Sequence, residues 1–79
     1  MTANNTTVNG EAYAPEQGET ILDLVARHAG RPLNDDGTPA DGTRLGIAVA
    51  VDGAVVRRGQ WAATPAEGAI DIVTAVQGG

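Results

Sequence analysis

The sequence predicts an α+β domain, and three observations carry that prediction. Asn9-Gly10 and Asp52-Gly53 are strong two-residue hairpin signals, because both positions of each pair tolerate positive φ. Between them Ile21, Leu24, Val25 and His28 recur at i, i+3, i+4 and i+7, which is one face of a helix. A β-branched, alternating segment, Ala69 to Val76, comes last.

The elements follow in order. Met1 to Asn5 is polar and expected to be loose. Thr6-Thr7-Val8 reads as a first strand, and Glu11 to Ala14 as its return after the Asn9-Gly10 turn. Pro15 to Gly18 is a loop. Thr20 is placed as a helix N-cap, with Asp23 three residues on completing a short capping box. Leu22 broadens the apolar face, and Gly30 and Pro32 stop the helix. Arg31 to Thr43 has no period and is rich in turn formers, so it is expected to be a long loop, and deleting part of Asn34 to Asp41 is expected to leave stability nearly unchanged.

From Leu45 to Val51 the pattern alternates. Leu45, Ile47, Val49 and Val51 are assigned to the helix side, and Gly46, Ala48 and Ala50 to a flat opposite side. Ala54-Val55-Val56 returns after Asp52-Gly53. Gly59 to Thr64 is expected to form a short helical turn, with Trp61 as a packing anchor. Pro65 to Gly68 turns into the last strand, with Ile70 and Ile72 inward and Asp71 and Val73 outward. If that strand is central and parallel to the first, the helix is the crossover covering one face. The arrangement is a β-grasp: a mixed sheet of four to five strands with one main helix on one face.

Composition narrows the chemistry. Seventy-nine residues are expected to form a single domain over 1–79. There is no Cys, so disulfides, thiolate metal sites and a cysteine nucleophile are excluded. The net charge is −5 and all five basic residues are Arg, which argues against a nucleic-acid partner. No apolar run is long enough for a membrane helix, and the N-terminus lacks a signal pattern, so a soluble, cytoplasmic protein without membrane contact is expected. Asp35, Asp36 and Asp41 match no full calcium-loop spacing, and no metal site is expected. His28, the one imidazole, is assigned to packing or capping rather than to base catalysis. Glu11, Glu16, Glu19 and Asp23 are assigned to the surface or to caps.

The sequence finishes Val76-Gln77-Gly78-Gly79. A Gly-Gly end, expected to be a flexible tail over about 76–79, can pass where any side chain would clash. A terminal carboxylate, with a pKa of roughly 3.5, is ionised at neutral pH and inert as an electrophile until a partner activates it.

Several segments together resemble the ThiS sulfur carrier family of thiamin biosynthesis, within the ubiquitin-like ThiS/MoaD group. They are Val8-Asn9-Gly10-Glu11, Gly18 to Leu24, Ile47 to Gly53, Arg58, Trp61, and Ile70 to Gly79. Three features depart from the family pattern. The 31–43 loop is longer. Asp52 stands where Asn is frequent. Ala69 stands where an acidic residue is common, so the loop before the last strand is expected to be less tightly fixed.

The resemblance implies a protein cosubstrate, not an enzyme. Its Gly79 carboxylate would be adenylated by a ThiF-like adenylyltransferase that uses ATP, the carrier binding no cofactor of its own. A cysteine desulfurase or another sulfur donor would supply sulfur, giving a Gly79 thiocarboxylate that thiazole synthase, ThiG, consumes. Val76, Gln77 and Gly78 would thread into the partner's site. Docking would use the flat face of Ala48, Ala50, Val73 and Ala75, because a helix covers only one side of a sheet. Arg57 and Arg58 would rim that face and act mainly on encounter rate. Two alternatives stay open: a MoaD-like carrier for molybdopterin or another pathway, and a non-covalent β-grasp interaction module.

Overall fold

The computed structural model describes residues 6–74. Its strands are β1 (Thr7–Val8), β2 (Glu11–Ala12), β3 (Ile47–Val51), β4 (Ala54–Val56) and β5 (Ala69–Thr74). One α-helix, α1 (Ile21–Ala29), lies between β2 and β3, and a 3-10 helix, Arg58–Ala63, lies between β4 and β5. The sheet order is β2-β1-β5-β3-β4. β1 runs parallel to β5, while β1–β2, β3–β4 and β3–β5 are antiparallel. The last strand is therefore central and α1 is the crossover, which is the β-grasp.

The helix starts where the sequence places it. The Thr20 hydroxyl oxygen accepts from the Asp23 N–H at 3.2 Å, and the Asp23 carboxylate accepts from the Thr20 N–H at 3.1 Å. These two bonds satisfy donors that the first turn leaves open. Gly30 caps the other end, its N–H donating to the Ala26 and Arg27 carbonyls. Ile21, Leu24 and Val25 are buried against Ile47, Val49, Ile70 and Ile72 of the sheet. Trp61 is 1% exposed and closes one end of this core. Its indole N–H donates to the Val56 carbonyl at 3.1 Å, so the ring is buried without an unpaired donor.

His28 is not packed. It lies on the apolar side of α1 but in the last turn, where grooves of about 420 and 200 Å³ open on either side and leave it exposed. β3 begins at Ile47 rather than Leu45, because Gly46 takes a φ of 68° and breaks the extended run. Leu45 is still buried, as an irregular residue before the strand.

Both hairpin turns form, with Asn9 and Asp52 each at a φ of 52°. Their side chains reach the central strand. Asn9 Oδ1 accepts from the Ile72 N–H at 2.7 Å, and Asp52 Oδ1 accepts from the Ala69 N–H at 2.9 Å. The Asp52 N–H also donates to the Ala69 carbonyl at 2.8 Å. The start of β5 is thus fixed by Asp52, and the expectation of a looser approach to that strand is corrected.

The long loop is also more ordered than its composition suggests. Leu33 pairs with Pro39, and Gly37 and Pro39 are buried. Gly37 has a φ of 86°, and a Cβ there would fall 2.1 Å from Arg58 Cγ. The loop backbone lies directly on the Arg58 side chain. Asp36 and Asp41 each accept from the N–H and the hydroxyl of the threonine two residues on, Thr38 and Thr43. The expectation of a freely shortened loop is therefore replaced by one of a packed loop.

Candidate docking face and tail

Alternation along a strand sends neighbouring side chains to opposite sides of the sheet. With Ile47, Val49, Ile70 and Ile72 facing α1, the residues between them face away. The strand register sets Ala48 beside Val73, and Ala50 between Asp71 on β5 and Val55 on β4. Ala48 is exposed and Ala50 half-buried. Val55 is 78% exposed and Val73 is 59% exposed, and these two are the large exposed hydrophobics of the described residues. Two valine ridges therefore flank a trough of alanines.

Ala48, Ala50 and Val73 stand together as the sequence suggests. Ala75, which was assigned to the same face, and the tail residues Val76, Gln77, Gly78 and Gly79 lie outside the described residues. The last described residue of β5 is Thr74, opposite Ile47.

The two arginines part ways. Arg57 is exposed and, with Ala48 and Val55, lines a shallow groove of about 370 Å³ at the β4 edge. Arg58 is half-buried beneath Gly37, with its guanidinium 5.5 Å from the centre of the Trp61 ring and donating to the Ile47 carbonyl at 3.4 Å. A cation held over an aromatic face and tied to a strand carbonyl is a packing element more than a mobile rim charge. Sequence reasoning left Val55 out of this face. The signal was present: a two-residue Asp52-Gly53 turn must place Val55 opposite Ala50.

A second polar cluster braces the helix. Glu19 is buried, and its carboxylate accepts from the Tyr13 hydroxyl and from the Glu16 N–H at 2.9 Å. The Arg27 guanidinium lies 3.9 Å from that carboxylate and donates to the Tyr13 oxygen at 3.0 Å. Burial, and then the hydrogen bond to Glu19, raise the Tyr13 pKa above its ordinary value, so the phenol stays a neutral donor. Glu19 is thus an interior brace for the 13–19 segment, not a surface residue. Among the described residues no three His, Cys, Asp or Glu side chains gather as metal ligands. No described helix is long and apolar enough to cross a membrane.

The chain matches the ThiS family over residues 2–79, nearly its full length, and it belongs to that family. Searches of curated proteins and of solved structures gave no match. Membership supports a sulfur-carrier role, and with it interaction with adenylating and sulfur-transfer partners in general.

Proposed function

We propose that this ThiS-family chain carries sulfur for assembly of the thiazole ring of thiamin, with Gly79 as the residue that bears it. The observation that carries the proposal is the family match, which spans both the sheet and the Gly78-Gly79 pair. In the proposed cycle the Gly79 carboxylate oxygen attacks the α-phosphorus of ATP in a ThiF-like partner, and pyrophosphate leaves. The terminal sulfur of a persulfide, charged by a cysteine desulfurase, attacks the acyl carbonyl and AMP leaves. A thiol then cleaves the acyl disulfide and frees the thiocarboxylate. Thiazole synthase takes the sulfur from it. ATP is used in the partner, and this chain acts in the cytoplasm as a cosubstrate with no cofactor of its own.

Roles are proposed for the remaining residues as well. The segment 75–79 can span at most about 17 Å when extended. Val76 and Gln77 would set the depth of entry, and Gly78 and Gly79 the narrow bore. Ala48, Ala50, Val55 and Val73 would provide the seat, flat in the middle and ridged at the sides. Arg57 would steer approach, since an exposed rim charge acts mainly on the rate of encounter.

The test is a mass measurement. Incubation with ATP, an adenylating partner and a persulfide donor is expected to add the mass difference between sulfur and oxygen, and deletion of Gly79 to abolish the gain. An unchanged mass would overturn the carrier proposal and favour a non-covalent module. Complementation of a thiazole auxotroph, set against a molybdopterin auxotroph, then decides the pathway.

A further inference from the structure

The outer side of β4, β3 and β5 has an arrangement that suits a second copy of the same chain. Read across the strands, one row is Asp71, Ala50, Val55. The next row pairs Val73 with Ala48. Continuing the β3–β4 register one residue beyond Val56 brings Arg57 to the other side of Ala48, and the groove that these two residues share with Val55 agrees with that placement. Asp71 and Arg57 then occupy opposite corners of the patch, and Val55 and Val73 occupy the other two.

A contact between two identical surfaces about a two-fold axis must be self-complementary: if residue i meets residue j, then j meets i. A two-fold axis lying in the face along the Val55–Val73 diagonal satisfies this condition. It carries Arg57 onto Asp71 of the second copy and Asp71 onto Arg57 of the second copy. It sets each valine against its own counterpart and leaves the alanines as close-approach positions between them. The strands of the two sheets would cross steeply, as in orthogonal sheet packing.

We propose that this face is a self-association surface, on which two copies form a weak, symmetric, salt-sensitive dimer. Weakness follows from size. Two valines and two alanines supply only part of the roughly 800 Å² per partner found in stable complexes. Association weaker than that of standard-size complexes is expected. The dimer covers the residues assigned above to the adenylating partner, so the two contacts exclude one another. That exclusion rests on the docking assignment, whereas self-association does not.

The experiment is sedimentation equilibrium of the full chain alone, from micromolar to millimolar concentration, at low and high salt. Association weakened by salt is expected. Arg57→Asp and Asp71→Arg should each lower the association constant about tenfold, because each replaces two attractive contacts by two repulsive ones. The double variant Arg57→Asp/Asp71→Arg should recover it, since the swapped charges pair again. Far- and near-ultraviolet dichroism would establish that each variant is folded. A monomer at every concentration overturns the proposal. So does a dimer indifferent to both single changes, or one that the double change fails to restore. Adenylation by a partner is read separately, so failure here leaves the carrier proposal standing, and the converse holds.

Discussion

The sheet has two sides built from the same kinds of residue, and they do different work. On one side Ile47, Val49, Ile70 and Ile72 are large, branched and buried under α1 and Trp61. On the other, Ala48, Ala50 and Val73 alternate with them along the same strands, joined by Val55 from β4, and face outward. Apolar character alone does not distinguish the sides, but volume does. The covered side carries large side chains that interlock with a helix. The open side keeps its centre at alanine, where a second surface can approach. A substitution on the covered side should therefore register as lost stability, and one on the open side as lost association.

The largest expected effect breaks the covered side. Trp61→Ala removes the ring that closes the core and should cost about 3–5 kcal/mol in urea unfolding. A domain of this size has only about 4–12 kcal/mol in total, so a milder change on the same side keeps the test readable if Trp61→Ala unfolds the chain. Ile70→Val should cost about 1 kcal/mol. Its counterpart on the open side, Val55→Ala, should stay within about 0.5 kcal/mol of the parent. Equal losses at Ile70 and Val55 would erase the distinction between the two sides.

The second test moves to the open side. Val73→Asp puts an unpaired carboxylate where the proposed partner would exclude water, and on the docking proposal should lower the adenylation rate about a hundredfold. The melting temperature should hardly move, because Val73 is already 59% exposed. Normal adenylation of this variant would remove the face from the docking assignment.

Much of this contrast was legible in the sequence, and the parts that were not share a physical cause. The capping box at Thr20, the two turns and the anchor role of Trp61 all follow from local spacing, and local spacing is what a sequence displays; the central place of the last strand is a long-range pairing that spacing left as a condition. Glu19 was misplaced because its partners, Tyr13 and the Glu16 N–H, come to it only through the path of the 13–19 segment. The bonds from Asn9 to Ile72 and from Asp52 to Ala69 span 63 and 17 residues, and no pattern in either turn announces them. The 31–43 loop hid its order for a related reason. Leu33, Gly37 and Pro39 pack as single residues without a period, and what they pack on includes a distant arginine.

That loop supplies the third prediction, of intermediate size. Gly37→Ala forces a side chain into a positive-φ position and onto Arg58, and should cost about 1–3 kcal/mol. The comparison sharpens if Arg58→Ala relieves part of the Gly37→Ala penalty, since it removes the Cγ and Cδ contacts while the Arg58 carbonyl oxygen, 3.0 Å from the new Cβ, and the positive φ remain. A neutral Gly37→Ala would mean that the loop does not bear on the Trp61 end of the core.

A smaller effect is expected at the turn that holds the edge of both sides. Asp52→Asn keeps an acceptor for the Ala69 N–H and tolerates positive φ, so it should be nearly neutral. Asp52→Ala loses both and should cost about 1–2 kcal/mol, with faster hydrogen exchange at Ala69.

The smallest effect is an acid transition confined to the loop. Hydrogen bonds from Thr38 and Thr43 hold the Asp36 and Asp41 carboxyls below the ordinary Asp value of 3.8. A depressed folded-state pKa means that the unfolded chain binds the proton first as pH falls. The contribution is therefore complete above the ordinary Asp range and is lost as pH drops through the lower, folded values. Both carboxylates are fully exposed, so solvent screens them and the change should be local. The protection factors of the Thr38 and Thr43 amides, taken relative to intrinsic exchange at each pH, should fall below the ordinary Asp range while those of β3 and β5 hold. Simultaneous loss of protection in the loop and in the central strands would show that the loop and the covered side of the sheet open as one unit.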